Sequence, residues 1–155
     1  MDPLRLGTVP TGLGTADLFV TVEANAHPLL RIDLYRSSDE ESAFTEVQVW
    51  AKSIAIGWGE HFYLVDPATR RTADILLGSY FGQIYAEESH LLVASAERLF
   101  CVSPNGNLLW RSDQLGIDGV VVERVTDTVI EGEGEWDPPG GWRPFLISLR
   151  DGRGA

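Results

Sequence analysis

The residues best suited to chemistry lie in one segment, Glu131-Gly132-Glu133-Gly134-Glu135-Trp136-Asp137-Pro138-Pro139-Gly140-Gly141-Trp142-Arg143. Side chains of an extended chain alternate between two faces. Glu131, Glu133 and Glu135 therefore share one face, with neighbours roughly 6.5–7 Å apart. A row of carboxylates suits two tasks. It can lend oxygens to a calcium ion, which takes about six to eight of them, or it can meet the cations of a basic partner. The spacing matches no established calcium loop, and a third reading is a solvated hairpin edge whose charge discourages strand pairing. Trp136 and Trp142 flank a Pro-Pro-Gly-Gly turn. Because Trp and Arg anchor many interfaces, Trp136, Asp137, Trp142 and Arg143 join the three glutamates as candidate partner-binding residues. The alternative is that the two indole rings pack on each other across the hairpin.

Other chemistry is sparse. The chain has no Gly-x-Ser-x-Gly elbow, no Walker loop and no His-Glu-x-x-His. His27, His61 and His90 are scattered, and no motif supports a triad or the pairing of His61 with Glu133 or Glu135 as acid and base. Cys101 sits inside the apolar run Leu99–Val102, which marks it as a buried structural thiol. Gly57-Trp58-Gly59 reads as backbone freedom at a hairpin turn and not as a phosphate loop. No catalytic residue, metal site or cofactor is assigned, and the chain reads as a non-enzyme.

Composition narrows the partners. Twenty-three acidic residues against twelve basic ones give a net charge of −11 over 155 residues. Nucleic acid and anionic membrane are disfavoured, because both need a basic face. A basic protein partner fits, as does solubility alone. A single cysteine forms no internal disulfide. The start MDPLRLGTVPTGLG lacks the basic flank and apolar core of a secretory signal, and no run has the length of a membrane span. The expectation is a cytoplasmic protein.

The elements that must hold these residues follow a repeat. Shifted by 37 residues, SIAIGWGEHFYLVDPATRRTA from Ser53 aligns without a gap on HLLVASAERLFCVSPNGNLLW from His90. Glu60 falls on Glu97, Val65 on Val102 and Pro67 on Pro104. The turn Asp66-Pro67-Ala68-Thr69 falls on Ser103-Pro104-Asn105-Gly106. A third copy aligns Asp127–Glu131 on His90–Ala94 and then carries nine extra residues in its central hairpin, which holds the glutamate row. Runs rich in Val, Ile, Leu, Phe and Tyr, separated by turn residues, predict short strands. The units are predicted at 45–81, 82–118 and 119–155, after a divergent unit over 1–44 with two strand-like runs. Ser38 to Glu41 has the form of a capping box, which allows at most one helical turn. The third unit lacks a fourth strand, which Leu29–Tyr35 could supply by closing a ring.

A four-strand unit of this size, with LVDPATRR after its third strand and Trp110 following the equivalent turn, resembles the blades of quinoprotein-type (PQQ-like) β-propellers. The resemblance covers residues 45–152. Thr69 is followed by Arg70 where that pattern has glycine, and the Trp has Ala73 as its counterpart, so the family's cofactor is not implied. The expected fold is all-β, with antiparallel four-stranded units of about 37 residues in a compact propeller-like array; a β-sandwich or barrel is the alternative. The array could close on itself or by pairing of two copies into a homodimer. The expected function is protein binding through the acidic, Trp-bearing hairpin, in the manner of an inhibitor or immunity-type protein. A small-molecule-binding module or enzyme is the second hypothesis, and a metal-stabilised structural domain the third.

Overall fold

The computed structural model describes residues 2–155, and the chain is all-β. Its fourteen strands are β1 (Leu4–Gly7), β2 (Leu18–Ala24), β3 (His27–Tyr35), β4 (Glu46–Trp50), β5 (Ser53–Trp58), β6 (His61–Val65), β7 (Thr72–Leu76), β8 (Phe81–Ala86), β9 (Leu91–Ser95), β10 (Leu99–Val102), β11 (Leu108–Arg111), β12 (Val120–Val125), β13 (Val129–Asp137) and β14 (Gly141–Ser148). They form four separate sheets. Sheet A has the order β1-β3-β2, sheet B β4-β5-β6-β7, sheet C β11-β10-β9-β8 and sheet D β12-β13-β14. Every pairing is antiparallel except β1 with β3.

The pattern of apolar residues explains the stacking. A strand covered on one face alternates, and one covered on both is apolar throughout. Ile54, Ile56, Trp58, Tyr63 and Val65 of sheet B meet Leu30, Ile32 and Leu34 of sheet A. The opposite face of sheet B carries Ala55, Phe62 and Leu64, which meet Phe81, Ile84, Leu91, Val93, Phe100 and Val102 of sheet C. On its far side, sheet C sends Leu92, Ala94, Leu99 and Cys101 against Val120, Ile130 and Ile147 of sheet D. The four sheets therefore stand in a row, with three apolar layers between them. Strands β9 and β10 are buried along their whole length, whereas β2 and β13 alternate. Each of these layers joins neighbours in the row, and none spans sheets A and D. No sheet closes into a barrel.

Polar bonds bind the segments between layers. Trp50 donates its indole N–H to the Glu87 carbonyl at 2.8 Å, and Trp110 donates to that of Leu149 at 2.9 Å. At one end of the row the Phe81 N–H donates to the Gly59 carbonyl and the Gly119 N–H to the Ala96 carbonyl, each at 2.8 Å. Gly59 supplies the turn, with φ 60°, whereas Gly57 lies inside β5 and has a packing duty, because an added Cβ would overlap the Phe81 ring. Cys101 is buried, and burial pushes its thiol up to about 11, far from thiolate chemistry near neutral pH.

One expectation needs correction. Leu29–Tyr35 does not complete sheet D. It lies in β3, flanked by β1 and β2, because a two-residue turn at Asn25-Ala26 folds β2 straight back on it. Both turn residues have positive φ, 52° and 62°, as the tightest hairpin turn requires. The short run Leu4–Gly7 supplies the remaining strand of that sheet. The capping box at Ser38 starts no helix. Residues 36–45 have no regular structure, and the local bond is instead from the Asp39 N–H to the Ser37 hydroxyl at 3.3 Å.

Candidate functional site

The long hairpin of β13 and β14 projects from sheet D, at the end of the row. The sequence Glu-Gly-Glu-Gly-Glu has two physical demands, one per face. Ile130, Gly132 and Gly134 point inward and are buried. A Cβ on Gly134 would overlap the Leu115 carbonyl, and one on Gly132 would overlap that of Val121. The glycines thus let the segment Leu115–Gly119 lie directly on β13, where the Ile117 N–H donates to the Glu135 carbonyl at 2.8 Å and the Glu135 N–H to that of Gly119 at 2.9 Å. Glu131, Glu133 and Glu135 consequently face outward together, as the alternation predicts.

Register decides what surrounds them. Glu131 lies between Arg124 and Leu146, Glu133 between Val121 and Pro144, and Glu135 opposite Trp142. Arg124 approaches Glu131 at 4.0 Å, and Glu135 accepts from the Gly140 N–H at 3.1 Å, so that carboxylate ties down its own turn. The Glu133 carboxylate has no hydrogen bond or ion pair among the described residues. Around it Val121 is 41% exposed, Leu146 44% and Trp142 40%. The outer face of sheet D therefore mixes exposed apolar groups with carboxylates, and the Glu133 carboxylate stands among them without a bond. The three carboxylates do not converge: no cluster of His, Cys, Asp or Glu among the described residues is arranged to hold a metal.

The rest of the predicted set divides. A bulge between Glu135 and Asp137 leaves Trp136 without a cross-strand partner. Arg143 pairs with Gly134 and so belongs to the opposite face. Its guanidinium lies 6.0 Å from the centroid of the Trp136 ring. The indole of Trp142 lies instead against Gly119. Glu131, Glu133, Glu135 and Trp142 are thus brought together, while Trp136 and Arg143 form a separate pair behind them and Asp137 stands at the turn.

Two clusters escaped the sequence. His61 is not near the glutamate row: its Nδ1 lies 2.8 Å from Asp74 and its Nε2 3.4 Å from Glu40. Its ring stacks on Tyr63 with centroids 5.2 Å apart, and desolvation by burial is the main cause that pushes the Tyr63 phenol well above its ordinary range. Glu40 also accepts from the Glu60 N–H at 3.2 Å, so the cluster pins residues 36–45 to sheet B. The second is a cleft of about 420 Å³ at one end of the row, lined by Asp39, Glu41, Glu60, Glu97 and Asp118 with Ser79 and Tyr80. Tyr80 donates to Asp118 at 2.9 Å, and burial, then that bond, push its phenol well up. The alignment of Glu60 on Glu97 was the available signal, since it places both carboxylates at the same end of neighbouring sheets.

No protein-family model matches the chain, and no curated protein is significantly similar to it. Among the described residues no helix is long and apolar enough to cross a membrane.

Proposed function

We propose that this chain is a non-enzymatic protein-interaction domain that binds a basic partner through the outer face of sheet D. The observation that carries the reading is the unpaired Glu133 carboxylate among exposed Val121, Leu146 and Trp142, on a sheet face that no other element covers. Such a face suits a partner that presents a guanidinium or ammonium between apolar groups, because the apolar rim excludes water and strengthens the ion pair. The net charge of −11 draws that partner in over longer distances. The most specific form of this reading is an inhibitor or immunity-type protein that masks a cationic surface. The four sheets act here as units of one propeller-like array, a reading supported by the equivalent bonds Phe81 to Gly59 and Gly119 to Ala96 and by the resemblance to quinoprotein-type blades.

The test is affinity capture from the source lysate, comparing wild type with a version whose residues 131–142 are cut to a short turn. The reading expects a basic protein retained by wild type and lost from the trimmed chain. Identical captured sets would contradict it.

A further inference from the structure

We propose that His61 is a pH-sensitive latch: its imidazolium bridges Asp74 and Glu40 and holds the segment 36–45 on sheet B, and loss of its proton frees that segment, which forms one wall of the acidic cleft. The latch is independent of the sheet D face.

The His61 ring sits between two carboxylates from different elements. Its Nδ1 lies 2.8 Å from Asp74 of β7, and its Nε2 lies 3.4 Å from Glu40 of the segment 36–45. The His61 and Glu40 side chains are only 13% and 12% exposed, so water can do little for either. A charged imidazole has two N–H donors and offers one to each carboxylate. A neutral imidazole has a single N–H, and its other nitrogen presents a lone pair. Asp74, at the shorter distance, keeps the donor. The Nε2 lone pair then faces the Glu40 carboxylate, and an attractive contact becomes a repulsive one.

The other charged and titratable groups around the ring do not change with it. On the same hairpin, Tyr63 stacks on the ring with centroids 5.2 Å apart, and Glu60 donates its backbone N–H to the Glu40 carboxylate at 3.2 Å. Burial, then the charges of Asp74 and Glu40, push the Tyr63 phenol well above its ordinary range, so it stays neutral. On the segment itself, Arg36 donates from Nη1 to the Glu40 carbonyl at 3.1 Å. Carboxylates and guanidinium groups ordinarily keep their charges between about pH 5.5 and about pH 8.5, whereas histidine ordinarily changes its charge within that window. The latched state holds one more proton than the released state, so raising the pH favours release.

Little else fastens the segment. Among the described residues, the other hydrogen bonds and ring contacts that leave it are the Arg36 N–H to Asp17 at 2.9 Å, at its start, and the Phe44 ring 6.2 Å from that of Tyr80, near its end. Segments with so few ties open at low cost. Asp39 and Glu41, on either side of Glu40, line the cleft together with Glu60, Glu97 and Asp118. When the segment lifts, two of these five carboxylates leave with it and the cleft loses a wall.

The test is amide hydrogen exchange on the full chain, followed by nuclear magnetic resonance at about pH 5.5 and about pH 8.5. Rates are converted to protection factors, which removes the intrinsic pH dependence of exchange, and the β9 amides serve as the reference. In wild type the Glu60 and Glu40 amides are expected to be at least about tenfold better protected at the lower pH, the size of one hydrogen bond to a charged group, with β9 unchanged. His61→Gln is expected to show the lower protection at both pH values, because its neutral amide reaches only one carboxylate. Glu40→Gln is expected to stay protected at both: its Oε1 accepts from the Glu60 N–H, and its amide N–H donates to the neutral Nε2. Equal wild-type protection at the two pH values overturns the latch. So does a pH step that survives either substitution, since another group would then own it, and so does an equal fall in β9, since the whole fold would then be opening.

Discussion

Gly134→Val is expected to destabilise the protein by about 3 kcal/mol or more, measured by urea denaturation. The reason is backbone, not side chain. A Cβ at position 134 overlaps the Leu115 carbonyl and lies 3.3 Å from the Gly116 Cα. Neither atom can rotate away as a flexible side chain would. To make room, the segment Leu115–Gly119 must leave β13 and give up the bonds from the Ile117 N–H to Glu135 and from the Glu135 N–H to Gly119. Leu115 also packs in the apolar layer between sheets C and D, so that layer opens as well. Glu133→Val, one residue away on the outer face, is expected to change monomer stability by less than about 0.5 kcal/mol. A small loss at Gly134 would mean that the strap does not lie on β13.

Phe62→Ala is expected to cost about 4 kcal/mol, in the middle of the range for buried aromatics. Phe62 is fully buried in the layer between sheets B and C, with Leu64, Ile75, Phe81 and Leu91 in the same cluster. Both flanking sheets are fixed by their own ladders, so they cannot collapse into the void. With total stabilities of about 5–15 kcal/mol for a domain, the variant approaches the unfolding threshold. Val49→Ala, at a position 73% exposed on the edge strand β4 of the same sheet, serves as the reference and is expected to change little. A Phe62→Ala loss near 1 kcal/mol would show that the sheets are not held rigidly apart.

How much of this was legible in the sequence follows from what kind of information each feature needs. The continuous apolar runs of β5, β6, β9 and β10 announced strands covered on both faces, and the turns at Pro67 and Pro104 marked where they reverse. The outward row of glutamates was readable because alternation along one strand is a local property. Which face Trp136 takes was not readable, since one bulge after Glu135 removes it from the register and sends it toward Arg143. The placement of β3 follows from a local signal, the Asn25-Ala26 hairpin with both residues at positive φ, whereas ring closure depends on contacts distant in sequence. The His61 cluster joins residues 40, 61 and 74 from three segments, and no spacing rule connects them.

The central claim is that the outer face of sheet D, and not the protein's acidity in general, does the recognising. The most direct measurement is a calorimetric titration with a synthetic peptide of alternating arginine and leucine. Three proteins are compared: wild type; a face variant with Glu131→Gln, Glu133→Gln and Glu135→Gln; and a cleft variant with Asp39→Asn, Glu41→Gln and Glu97→Gln, which removes the same charge elsewhere. The account predicts that the cleft variant binds like wild type, while the face variant loses at least about tenfold in affinity, near 1.4 kcal/mol. Equal losses in both variants, or no loss in the face variant, would contradict it.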